Sequence, residues 1–122
     1  MSADGKAKSL ETVVRSVDSI RILSLTGEID MASAPQFQAA VDEALRDQPN
    51  TLVVDLSLVE FFGSAGLSVL LVAAEALPSG QLRVVASPPV RRPIEVTGLD
   101  KLLSVHNTVD DALSVEEPRR PA

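Results

Sequence analysis

The chain has 122 residues, a formal net charge of -6, no cysteine, and three phenylalanines as its only aromatics. That length suits one domain, and the missing cysteine excludes disulfides, thiolate catalysis and Cys-ligated zinc. The acidic balance and the lack of stacking rings argue against a nucleic-acid surface, which needs clustered Lys and Arg and, for single strands, aromatic platforms.

The first nine residues, within "MSADGKAKSLE", are small and polar, with no apolar core of a secretory signal. Residues 1–9 are expected to be a flexible N-terminus, 10–116 the domain, and 117–122, ending in "EPRRPA", a flexible C-terminus. "ETVVRSV" and the alternating "SIRILSLTG" read as two strands joined near Asp18-Ser19 in an antiparallel hairpin. "SAPQFQAAVDEALRDQ" reads as a helix, with Ser33 as N-cap, Pro35 in the first turn, and Phe37, Ala40, Val41, Ala44 and Leu45 at helical spacing. Pro49-Asn50 is the expected stop. "TLVVDLS" is a β-branched run that reads as a strand buried on both faces.

A second helix is expected from Ser64 or Ala65 to Leu77, stopped by Pro78 and Gly80. It is apolar on nearly every side, which means burial or a partner, and it is too short to span a bilayer. "QLRVVAS" reads as a buried strand, "PPVRRPIEVTGLD" as a Pro-rich turn and then a short helix broken or delayed by Pro93, "LLSVHN" as a last strand, and "TVDDALSVE" as a helix capped by Thr108. The order β-β-α-β-α-β-α-β-α implies a single α/β domain with a mixed, mostly parallel sheet of about five strands and about four helices. Sites in such sheets sit on loops beyond the carboxyl ends of the strands.

Ser64 is such a loop residue, in "VEFFGSAGL". Its everyday role is to cap the helix that follows. The same place suits a phosphate, because a helix N-terminus favours negative charge; a phosphate inside an interface would weaken docking without altering the fold. Ala65 and Gly66 are small enough to let another backbone approach. Of Phe61 and Phe62, one is expected to fill the core and the other to flank the turn. Glu28, Asp30, Asp55 and Glu60 read as solvated or capping carboxylates, since no metal-ligand spacing accompanies them. His106, the only histidine, reads as a strand-end residue, and Arg83, Arg91 and Arg92 as a solvated basic edge, with no phosphate loop beside them. No cofactor or metal is expected.

"LSLTGEIDMASAPQFQAAVDEAL" followed by "TLVVDLSLVEFFGSAGLSVLL" resembles the STAS domain of anti-sigma factor antagonists. The first block matches the family's Gly-Glu-(Leu/Ile)-Asp entry to helix one, and the second its strand, Asp-Ser-(Ser/Thr/Ala)-Gly-Leu and helix two. The weaker "LRVVASPPVRRPIEVTGLDKLLSVHNTVDDAL" extends the resemblance to residues 11–115. It implies a STAS-like fold and a bacterial, cytoplasmic, non-enzymatic partner switch. In that switch an unphosphorylated antagonist binds an anti-sigma factor, often itself a serine kinase, and frees the sigma factor; phosphorylation of the motif serine separates the pair and a phosphatase restores it. Ser64 matches that serine, and Asp30 the aspartate on the partner-facing side. The implied contact surface is Asp30, Phe62, Gly63, Ser64, Ala65 and Gly66. The motif aspartate is Gly63 here, so a full switch, a permanently active antagonist and a relative with another partner all stay open. Two other readings are a stand-alone STAS-like subunit of a transporter or other assembly, and a small nucleotide-binding protein or hydrolase.

Overall fold

The computed structural model describes residues 10–78 and 81–114. The expected flexible ends, 1–9 and 117–122, and the Gly80 stop lie outside these residues. Two antiparallel strands open the fold, β1 (Glu11–Val17) and β2 (Ile20–Ile29), joined by a two-residue turn in which Asp18 takes a left-handed φ of 55°. Then follow α1 (Ala34–Ala44), β3 (Thr51–Phe62), α2 (Ser64–Ala76), β4 (Leu82–Ala86), α3 (Pro88–Val96), a 3-10 turn at Leu99–Lys101, β5 (Ser104–His106) and α4 (Val109–Leu113).

The five strands lie in the order β1-β2-β3-β4-β5, antiparallel only at the first pair. Each parallel connection steps in one direction, and right-handed crossovers then put every connecting helix on one face. The packing agrees. Leu23, Leu25, Leu52, Val54, Leu56, Leu82 and Val84 of the sheet cluster with Phe37 and Val41 of α1, Leu70 and Ala73 of α2, and Val90 and Ile94 of α3. On the other face α4 covers a small patch, Ala112 against Ile22, Val53 and Val85.

Three details differ from the sequence reading. First, β3 runs on through Phe62, twelve residues in all. It carries two irregularities in its pairing with β2, between Ser24 and Thr26 and between Gly27 and Glu28. Second, the Pro-rich stretch is the start of α3 rather than a turn before it, and Pro93 lies inside that helix. Pro88 and Pro89 fall where helix N–H groups have no partner anyway, and Pro93, inside the helix, forgoes one bond while Val90 and Ile94 anchor the helix by complete burial. Third, α1 ends at Ala44, before Pro49.

Arg83 is not part of a solvated edge. It is buried, and its Nη1 donates to the Ala112 carbonyl at 2.8 Å, at the carboxyl end of α4. Arg21 does the same for α1, donating to the Ala44 carbonyl at 3.1 Å while pairing with Asp47. Cations at the carboxyl ends of helices meet both the orphan carbonyls and the helix dipole. Arg91 bonds Asn107 at 2.7 Å.

Candidate functional site

Two strand-to-helix junctions stand side by side at the carboxyl ends of β2 and β3. Ile29 pairs with Phe62, and the Gly63 N–H continues the ladder to the Ile29 carbonyl at 2.9 Å. Asp30 therefore leaves β2 beside the turn that carries Ser64.

The β2–α1 junction is tied by its own side chains. One Asp30 carboxylate oxygen accepts from the Ala32 and Ser33 N–H groups, each at 3.0 Å. The Ser33 hydroxyl donates to the Glu28 carbonyl at 2.8 Å and accepts from the Asp30 N–H at 3.0 Å. Ser33 occupies the N-cap position, but its hydroxyl caps nothing in α1; it closes the loop instead. These bonds, led by the Ser33 N–H, hold the Asp30 carboxyl below the ordinary value of 3.8, against an opposing effect of burial.

The β3–α2 junction is a single residue. Gly63 is the N-cap of α2, in extended conformation (φ -94°, ψ -175°), and Ser64 is the first helical residue. Ser64 is therefore not the cap. The Gly63 carbonyl accepts from Gly66 N–H at 3.0 Å and Leu67 N–H at 3.3 Å, while the N–H groups of Ser64 and Ala65 belong to the orphan set of a helix start. Ser64 is exposed, and its hydroxyl has no hydrogen-bond partner among the described residues; only its carbonyl is engaged, by the Ser68 hydroxyl at 3.3 Å. A φ of -94° needs no glycine. A Cβ at position 63 would come within 3.2 Å of the Phe61 ring, which is half exposed and can shift.

Phe62 and Gly66 are not on the surface. Phe62 is 5% exposed and meets Phe37 edge-on with ring centroids 6.4 Å apart. Gly66 is buried, and a Cβ there would lie 2.7 Å from the Phe62 ring and 2.8 Å from Ile29 Cγ2. Its hydrogen lets α2 settle onto the sheet. The exposed aromatic is Phe61, near the end of β3; Met31 of the β2–α1 loop and Leu71 and Val72 of α2 are exposed apolar residues. The sequence divided the two phenylalanines between core and turn without telling which was which, and gave no sign of Met31. The solvent side of α2 thus keeps apolar groups beside Ser64 and Ser68.

His106 ends β5, two strands away from β3, or roughly 10 Å at ordinary strand spacing. It is held below its usual 6.5 by burial and then by Arg83, with Asp111 opposing. Among the described residues no three His, Cys, Asp or Glu side chains gather as metal ligands, and no helix is long and apolar enough to cross a membrane.

Residues 11–112 match the model of the STAS domain. The anti-sigma-F factor antagonist RsfB of Mycobacterium tuberculosis is 41% identical over 108 residues, spanning 87% of this chain and 88% of RsfB. The crystal structure of an anti-sigma factor antagonist from Mycobacterium paratuberculosis superposes with a TM-score of 0.82 at 44% identity, covering 87% of this chain and 92% of that one. The anti-sigma factor antagonist SpoIIAA in its unphosphorylated form shares the fold, with a TM-score of 0.58 at 24% identity over 88% of this chain and 93% of that one.

Proposed function

From the premise that this chain belongs to the STAS domain family, we propose that it is a bacterial, cytoplasmic anti-sigma factor antagonist, a binding protein rather than an enzyme. It docks on an anti-sigma factor, itself a serine kinase, and so releases a sigma factor. The curated relatives that bear antagonist names support the first step. The observation that carries the switch is the exposed Ser64 hydroxyl, without a partner at the first position of α2.

A kinase needs such a hydroxyl within reach, and the helix start accommodates the product. The orphan N–H groups of Ser64 and Ala65 and the helix dipole favour a phosphate. Modification leaves the fold intact and places about -1.5 to -2 charge in the docking surface. Glu28 and Asp30 at the end of β2, and Glu60 near the end of β3, lie in the segments that lead to that place, so the phosphate adds to acidic residues and opposes a partner with acidic groups opposite. The docking surface consists of Ser64, Ala65, Gly63 and the Asp30 loop, extended by Met31, Phe61 and the exposed apolar side of α2. Gly63 in place of a carboxylate removes a neighbour that would repel the phosphate. A protein phosphatase resets the switch.

Incubation with candidate anti-sigma kinases and ATP, followed by intact mass and peptide mapping, tests this. One phosphate at Ser64, absent in Ser64→Ala, with loss of kinase binding on modification, is the expected result. Stable binding with no phosphate leaves an antagonist without a switch, and binding to neither kinases nor anti-sigma factors rejects the reading.

A further inference from the structure

The sheet has two edges, and they differ. β5 is a three-residue strand, whereas β1 runs for seven residues, all exposed. Val13 is 60% exposed and Val14 39%. A long exposed edge presents unpaired backbone groups and is a template for another strand.

The register within the hairpin shows which groups face outward. Val17 and Ile20 close the two-residue connection, followed by Arg15 opposite Ile22, Val13 opposite Ser24 and Glu11 opposite Thr26. The closing pair of such a hairpin exchanges hydrogen bonds, and bonded pairs alternate with unbonded ones. Glu11, Val13, Arg15 and Val17 therefore turn their backbone groups toward β2. Thr12, Val14 and Ser16 turn their N–H and C=O groups outward.

We propose that a second copy of this chain pairs with this edge, β1 against β1, antiparallel about a two-fold axis at Val13. Outward groups must meet outward groups, so the axis falls on a residue rather than between two. An axis at Val13 sets Thr12 opposite Val14, which exchange backbone bonds, and Val13 opposite its own copy in a close unbonded pair. It also sets Glu11 opposite Arg15 on both sides of the axis. An axis at Val14 sets Arg15 opposite Val13 and Glu11 opposite Val17, with no charge matched. The charges of β1 are thus self-complementary in one register, as an isologous contact requires. Among the described residues neither Glu11 nor Arg15 has an ion-pair partner within the chain. β2 separates this edge from the β3–α2 junction, so the dimer carries two Ser64 surfaces and leaves both open.

Sedimentation velocity of the full chain over a series from low micromolar to submillimolar concentration tests the pairing. The expected result is a reversible doubling of mass. Glu11→Arg or Arg15→Glu alone sets like charges opposite each other twice and weakens association about tenfold. The double variant Glu11→Arg/Arg15→Glu recovers it. Val14→Pro removes an N–H that the chain does not use internally, so it stays folded and becomes monomeric. A parent that stays monomeric, single reversals without effect, a double reversal that fails to recover association, or a folded Val14→Pro that still dimerises overturns the proposal.

Discussion

The two junctions at the carboxyl ends of β2 and β3 solve one problem in opposite ways. Both turn a buried strand into a helix. The first does it with Asp30 and Ser33 bonded to the backbone around them. The second does it in one residue, Gly63, with no side-chain cap on α2. The polar groups of the first are satisfied within the chain and fix its shape. In the second, the Ser64 hydroxyl and the first N–H groups of α2 are left for something else, and the shape is fixed from below instead, where Gly66 lets α2 rest on Phe62 and Ile29. A rigid neighbour and a close-packed floor hold an unbonded hydroxyl at a defined place, which is what a modifying enzyme or a docking protein requires.

Filling the floor should break the second junction most severely. Gly66→Val drives a branched side chain into the Phe62 ring and Ile29, and overpacking of that kind costs about 1–3 kcal/mol. Urea unfolding should show the loss, and a parental midpoint would mean that α2 is not held as described. Next in size is Asp30→Ala, which deprives the Ala32 and Ser33 N–H groups of their acceptor and lowers the thermal midpoint, while Asp30→Asn keeps part of the stability. The Asp30 carboxyl binds its proton more weakly folded than unfolded. Its contribution is therefore complete above its ordinary value of 3.8 and is lost as pH falls through the lower folded value. Acid titration of Asp30→Asn against the parent should show that part of the acid limb removed; an identical limb would mean that the loop does not depend on the charge.

Smallest is Gly63→Asp, which supplies the missing cap. The extended backbone accepts it, and stability should rise by only a few tenths of a kcal/mol, because the Phe61 ring must give way. A marked loss in thermal unfolding would mean that the turn needs glycine after all.

The order of elements was legible because β-branched runs and helical spacings alternate cleanly, and Ser64 was legible as the start of α2. The assignment of the two phenylalanines was not. Strict alternation would send Val59 and Phe62, three apart, to opposite faces, yet both point into the core. The extra residue that β3 carries at the second irregularity shifts the phase, leaving Phe61 outside. Such a shift depends on pairing with β2, which no local pattern encodes. Gly66 was misplaced for the same reason, since its need for closeness follows from where Phe62 points. Ser33 was rightly placed before α1, but its hydroxyl is claimed by the Glu28 carbonyl, a contact set by the path of the loop. Arg83 looked like a surface cation because the helix end that buries it lies 29 residues onward.

On the proposed function, the Ser64 hydroxyl stands inside a protein-docking surface whose shape does not depend on it. Its most direct test is calorimetric titration of the cognate anti-sigma factor with the chain bearing phosphoserine at position 64 and with the unmodified chain, alongside circular dichroism of both. Identical spectra and an affinity lower by about tenfold or more for the phosphorylated form are expected. Equal affinities, or a phosphate that disrupts the fold, would contradict this.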